Sequence, residues 1–418
     1  MLRKVTAAEV PSLLRDPVDA PTLEAARAIV DDVRHNGESA MRLYAERFGE
    51  VEPRAPLVIG KDTLRAAFEA LPTKDKNLLL RVHDRIRKFA EAQRAAMKDI
   101  VVELPGGRAG HFVAPVEVAG CYAPGGGFPL PSSVLMTAVT ARAAGVRTVI
   151  VASPRPLPIV RAAAHVAGAD MLLAVGGAHA IAAMAFGAGV PRCDVIVGPG
   201  SKWVTAAKQI VSGRVAIDML AGPSELVVLA DDSADPSIIA ADLLAQAEHG
   251  FDSLPILVTT SADLIDRVNA EIAAQLESLP TRETAIASVG GGYAVLASTL
   301  DEAVAVVDGI APEHLELLME NAASVATRLR HYGGLFVGAG AAEVLGDYGA
   351  GPNHTLPTGG TARFTGGLSV FNFLRVRTWM RIDDLSAARE LVEDARDLAR
   401  HELLEGHARS AEKRLVRP

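Results

Sequence analysis

The sequence predicts an α/β protein made of two units of similar plan. Between residues 116 and 222, short β-rich runs alternate with Ala-rich helical runs. The alternation resumes at residue 223 and continues to about residue 340. Strands separated by helices imply a parallel-rich sheet covered by helices on both faces. A chain of 418 residues, 49% of them hydrophobic, can bury more than one large core.

Each element carries its own signal. Residues 1 to about 98 read as a helical N-terminal segment. "APTLEAARAIVDDVRHNGESAMRLYAERFG" and "PTKDKNLLLRVHDRIRKFAEAQRAAMKD" place apolar residues at helical spacing, the second with Thr73 as N-cap. "IVVELPGGRAGHFVAPV" reads as a glycine-punctuated hairpin. In the first α/β unit the strands are "VEVAGCY", "VRTVIVAS", "DMLLAVGG", "CDVIVGP" and "RVAIDML". In the second they are "SELVVLA", "PILVTTS", "YAVLAS", "HLELLM" and "GLFVG". From about residue 380 the chain reads as a charged helix, either a solvated tail or an arm that docks. The expected division is 1–115, packing on the later unit, then 116–222, 223–379 and 380–418.

Composition narrows the function. The net charge of -8, with no basic patch, argues against a nucleic-acid partner. No run offers the roughly 20 uninterrupted apolar residues of a spanning helix, so no membrane is expected. The N-terminus lacks the apolar core of a signal peptide, and a cytoplasmic location is expected. The cysteines are Cys121 and Cys193, too few for a Cys-only zinc site. Cys121 stands beside a Gly-rich loop and is the one candidate for a thiolate nucleophile.

Five constellations could carry chemistry. "YAPGGGFPLPSS" and "IVGPGSKWVT" follow strands and open helices, where backbone N–H groups can approach an anion. "AGPSE" forces a turn that presents Ser224 and Glu225. Glu313 and His314 in "IAPEHLELL" could divide proton work between a base and a water activator. The long loop "VLGDYGAGPNHTLPTGGTARFTGGLSV" holds Asp347, Asn353 and His354. The tail holds Glu402 and His407. Gln246 and His249 close the helical run "SIIAADLLAQAEHG" on one face, which a C-terminal cap would also explain. Gln246, His249, Asp347 and His407 form a nitrogen and oxygen donor set suited to Zn²⁺ rather than Mg²⁺. Their spacing alone does not bring them together.

The motifs in their order resemble the histidinol dehydrogenase family over nearly the whole chain. "IDMLAGPSELVVLAD", "LLAQAEHG", "APEHLEL", "GDYGAGPNHTLPTGGTARFTGGLSV" and "ELLEGHA" carry the resemblance, with "YAPGGGFPLPSSVLMTAVTARAAG", "VGGAHAIAAMAFG" and "IVGPGSKWVTAAK". The resemblance implies two Rossmann-like lobes, one inserted within the other, with the active site in the cleft. It implies a homodimer intertwined through a swapped C-terminal arm. It implies oxidation of L-histidinol to L-histidine in two hydride transfers to NAD⁺. Zinc would be held by Gln246, His249 and Asp347, with His407 from the partner's tail. His314 would act as the base and Glu313 would activate water. Ser224, His354 and Glu402 would touch the substrate with His314 and the metal residues. Tyr122 would touch the nucleotide.

Two departures fall on the dinucleotide side. His179 and Ser201 stand where the family usually has Gln and Asn, both cofactor-binding positions. "FLRVRTWMRIDD" also departs, placing Arg375, Arg377 and Trp379 on what reads as a helix approach. Such departures suit a paralogue with the same chemistry on another small primary alcohol, such as a sulfonated propanediol. A silent ligand-binding homologue would have no chemical need for the intact metal positions and the Glu313–His314 pair.

Overall fold

The computed structural model describes residues 1–13, 17–125 and 128–415. Gly126 and Gly127 of the first glycine-rich turn lie outside the described residues. The chain divides into two compact units, Met1–Ala92 with Val116–Phe373, and Gln93–Pro115 with Leu374–Pro418. Its strands are β1 (Arg3–Val5), β2 (Val58–Gly60), β3 (Ile100–Leu104), β4 (Gly107–Pro115), β5 (Val118–Tyr122), β6 (Thr148–Ala152), β7 (Met171–Leu173), β8 (Val195–Val197) and β9 (Ala216–Ile217). They continue with β10 (Glu225–Ala230), β11 (Leu254–Thr259), β12 (Tyr293–Leu296), β13 (His314–Leu318), β14 (Gly334–Val337) and β15 (Leu374–Ile382).

The first unit holds two six-stranded sheets. One runs β2-β7-β6-β5-β8-β9 and is parallel except for β2 at its edge. The other runs β1-β12-β11-β10-β13-β14 and is parallel throughout. Since β1 precedes the first sheet and β10–β14 follow it, the first lobe is inserted within the second, as expected. Every residue of β10 and β11 is buried. Alternate side chains feed two cores, because a strand turns successive side chains to opposite faces. Val227, Leu229, Ile256 and Val258 share one core, and Leu226, Val228 and Leu257 the other.

The N-terminal segment is less purely helical than expected, and its apolar face (Val30, Val33, Met41) packs on the inserted lobe rather than the later one, against Ile150, Leu173 and Ile181. β1 and β2 lie within it and pair into different sheets. The helix Ala20–Arg47 is capped by Asp19, which accepts from Thr22 N at 2.8 Å, and it kinks at Gly37, where φ is 59°. Thr73 is the first helical residue rather than the cap. The carbonyl of Pro72 accepts from Asp75 and Lys76 instead.

The second unit corrects the expected boundary at 379. β15 pairs antiparallel with β4 from Leu374↔Pro115 to Ile382↔Gly107, and β3 completes a three-stranded sheet. Arg375, Arg377 and Trp379 therefore sit on a strand, not on a helix approach. The physical reason is period: Leu374, Val376, Met380 and Ile382 alternate with arginines, which suits a pleated edge. Helices Arg389–His401 and Glu405–Leu415 follow. No helix of the described residues is long and apolar enough to cross a membrane.

Candidate active site

The candidate residues gather at the amino edge of the second sheet. β10 lies between β11 and β13, with Glu225 opposite Leu254 and Leu226 opposite His314. Parallel pairing puts all three strand starts side by side. Ser224 and Glu225 enter β10, Ser253 enters β11, and Glu313 and His314 enter β13. The helix before β13 ends at Ala311 in a left-handed conformation (φ 51°), and Pro312 prevents its continuation. The helix Pro236–Ala247 delivers Gln246 to the same edge, with His249 just beyond it. The short helix Glu343–Asp347 brings two carboxylates four residues apart, so they share a face.

These residues meet. His249 Nε2 lies 3.4 Å from Asp347 Oδ2 and 3.3 Å from Glu343 Oε1. His314 Nδ1 lies 3.3 Å from the Glu225 carbonyl and 3.6 Å from carboxylate oxygens of both Glu313 and Glu343. The carbonyl can only accept, so the proton is assigned to Nδ1. His314 Nε2 is then the basic nitrogen, and it is buried with no hydrogen-bond partner. Glu313 Oε2 accepts from Ser224 Oγ at 2.6 Å and from Glu225 N at 3.0 Å. Gln246 is fully buried, and its Nε2 donates to Ser253 Oγ at 2.6 Å. Ser253 donates in turn to the Gln246 carbonyl at 2.7 Å. This clamp turns Gln246 Oε1 toward Ser224, 3.5 Å away.

The long loop after β14 reaches from the site to the inserted lobe. His354 Nδ1 lies 3.0 Å from the Asp347 carbonyl, and its Nε2 lies 3.5 Å from Ser133 Oγ. Asn353 Nδ2 donates to the Met136 carbonyl at 2.8 Å. Ser133 and Met136 belong to the helix Pro131–Ala144 of the inserted lobe. The Asp347–His354 loop thus joins the two lobes beside the catalytic edge.

Electrostatics sharpen the roles. Burial would lower His249, but its hydrogen bonds to Asp347 and Glu343 outweigh that and hold it up at about 10. His314 is also raised, since Glu343, Glu313 and Asp347 outweigh burial. Burial raises Glu313. Burial and the Glu313 charge push Glu225 up to about 7. Burial would raise Asp347, yet the His249 hydrogen bond holds it below the ordinary carboxylate range. Burial lowers His354. Carboxyls raised by burial beside an imidazole raised by its neighbouring carboxylates form a set able to exchange protons.

The cysteines take no part. Cys121 and Cys193 are buried, and burial pushes the Cys121 thiol up to about 12. A neutral, enclosed thiol is no nucleophile, and both cysteines serve as small core hydrophobes.

The remaining expected residues divide by element. Tyr122, His179 and Ser201 lie at the carboxyl edge of the first sheet, Tyr122 as the last residue of β5 and the others after β7 and β8. Tyr122 Oη accepts from Gly177 N at 3.2 Å. Ser201 is exposed at the start of the helix Lys202–Val211. His179 is 1% exposed, with Nε2 2.9 Å from Glu50 Oε2 and its ring tilted against Tyr44 and Phe48. Glu50 also accepts from Gly176 N at 3.0 Å. Glu402 and His407 belong to the second unit, where both are exposed.

Glu343 was not singled out from sequence, although the four-residue spacing of Glu343 and Asp347 was visible there. His249, Glu343 and Asp347 each offer a donor atom within 4.8 Å of the others. Glu343 Oε2 is a buried acceptor with no partner. One imidazole and two carboxylates around a shared point, with an orphaned oxygen, fit a divalent transition metal.

Two doubly wound lobes with a histidine–carboxylate cluster at their junction define a two-lobed α/β protein with a candidate metal centre. The chain belongs to the histidinol dehydrogenase family, whose sequence profile it matches over residues 16–415. It is 46% identical over 398 residues to the histidinol dehydrogenase of Thermus thermophilus, covering 94% of this chain and 95% of that one. It is 39% identical over 405 residues to the sulfopropanediol 3-dehydrogenase of Ruegeria pomeroyi, covering 94% and 92%. The crystal structure of histidinol dehydrogenase from Elizabethkingia anophelis superposes with a TM-score of 0.91 at 30% identity, covering 99% of this chain and 98% of that one.

Proposed function

We propose that this chain is a zinc- and NAD-dependent dehydrogenase that oxidises L-histidinol through the aldehyde to L-histidine, in histidine biosynthesis. The observation that carries the choice of substrate is the greater likeness to a histidinol dehydrogenase, 46% identical, than to a sulfopropanediol dehydrogenase, 39% identical, each over nearly all of both chains. The Ruegeria relative keeps the sulfonated propanediol as the competing reading. Turnover compared on L-histidinol and on 2,3-dihydroxypropane-1-sulfonate tests the choice: a higher kcat/KM for the sulfonate would overturn it.

Zinc would be held by Gln246, His249 and Asp347, with His407 from the C-terminal arm of a second copy. Bound there, it would fix the amine and imidazole nitrogens of the substrate, while NAD⁺ bound at the first sheet would accept hydride. The protein's own groups do the proton work. His314 Nε2 takes the hydroxyl proton as the first hydride leaves. Its Nδ1–H stays directed at the Glu225 carbonyl, and the Glu343 carboxylate stabilises the imidazolium. Glu313, fixed by Ser224 and Glu225 N, then removes a proton from water as it adds to the aldehyde. His314 acts as base again for the second oxidation. Ser224, His354 and Glu402 complete the substrate pocket, and Tyr122, His179 and Ser201 form the nucleotide edge.

The second unit supports exchange between copies. It leaves Val101, Val102, Phe112, Val376, Met380 and Leu403 exposed, an apolar load suited to a partner surface. A homodimer with a swapped arm covers it. His407→Asn is expected to lower zinc occupancy, and so is truncation before residue 400. Unchanged zinc in both, measured by atomic absorption, would remove the arm from the site. Ser253→Ala is expected to weaken zinc binding by roughly 10–100-fold through loss of the Gln246 clamp. Competition with a chelator measures it.

A further inference from the structure

The cavity at the carboxyl edge of the inserted lobe bears on which dinucleotide is taken, an inference that rests on the nucleotide reading above. It measures about 240 Å³ and is lined by Pro124, Phe128, Ser153, Pro154, Arg155 and Leu157, among others. Whole-ligand pockets run to roughly 300–1,000 Å³, so this one suits part of a ligand. Its position is informative. β5 is the first strand of the lobe's parallel sheet and β6 the second, and the residues 153–157 leave the end of β6. In doubly wound dinucleotide folds, the residue after the second strand meets the adenosine ribose: an acid accepts the 2′-hydroxyl, or an arginine takes a 2′-phosphate.

Here the turn that leaves the strand holds Arg155, three residues beyond its end at Ala152. It is the lone charged residue in the lining and is exposed, with no hydrogen bond or ion pair among the described residues. Its φ of 45° is left-handed, a conformation a non-glycine residue adopts only when its surroundings impose it. Pro154 and Pro156 on either side restrict the turn. Just beyond, the helix Pro158–Val166 begins, and Arg161 Nε donates to the Pro156 carbonyl at 2.9 Å. The turn therefore offers positive charge and no competing carboxylate. The acid on the far side of Pro154, Glu50, is already committed to His179 and Gly176 N.

We propose that Arg155 receives the adenosine 2′-phosphate of a phosphorylated dinucleotide, so that the site takes NADP⁺ as well as NAD⁺. The test is calorimetric titration of the zinc-loaded protein with 2′,5′-ADP and with 5′-AMP, which needs no alcohol turnover. Wild type is expected to bind 2′,5′-ADP at least about tenfold more tightly than 5′-AMP, the scale of a charge-assisted guanidinium–phosphate contact. Arg155→Ser should erase that difference, and Arg155→Lys should restore part of it. Equal binding of the two ligands by wild type would overturn the assignment, as would a preference that survives in Arg155→Ser. A clear 2′-phosphate preference in a protein that reduces neither dinucleotide with L-histidinol would instead count against the alcohol reading alone.

Discussion

Glu313→Gln is expected to keep the first oxidation and to slow the second by roughly 10²–10⁴-fold, the usual worth of a positioned general base. Glutamine preserves the shape and can still accept from Ser224 Oγ and Glu225 N, the two bonds that orient Glu313. It cannot take a proton from water. Aldehyde should therefore accumulate and be trapped by a hydrazine, with about one NADH formed per alcohol in the early phase. Burial raises the Glu313 carboxyl, which moves its basicity toward neutral pH and suits it to water activation. Equal loss in both half-reactions would show that Glu313 is not confined to the hydration step.

His314→Asn should depress both oxidations together, again by roughly 10²–10⁴-fold, because one imidazole serves as base in each. Asparagine can donate to the Glu225 carbonyl, but nothing replaces the unpartnered basic nitrogen Nε2. Zinc content should be little changed, since His314 is not in the proposed donor set. Assaying L-histidinol and L-histidinal separately as substrates distinguishes this pattern from that of Glu313→Gln. A loss restricted to the aldehyde step would reverse the two assignments.

Much of this was legible in the chain, and what was hidden has a common cause. The strands β5–β14 announce themselves as apolar runs bounded by glycine, proline or aspartate, and all were found. β1 has three residues, too few to display a period. β15 did display one, but its arginines drew attention to charge and away from alternation. At the site, the spacing of Gln246 and His249 and the vicinal Glu313–His314 pair were visible. Their convergence was not, because it depends on parallel pairing of β10, β11 and β13 across about ninety residues of sequence. His179 makes the same point. The family resemblance marks it as a nucleotide position, while nothing in the sequence shows its partner Glu50, 129 residues away.

On the proposed route both oxidations take place at one site, four electrons in all. The direct measurement is the yield of NADH from the zinc-loaded protein with excess NAD⁺ and limiting L-histidinol. Two NADH per histidinol, abolished by a chelator and restored by zinc, is the predicted result. One NADH per histidinol with release of the aldehyde, or none from a protein that retains its zinc, would contradict it.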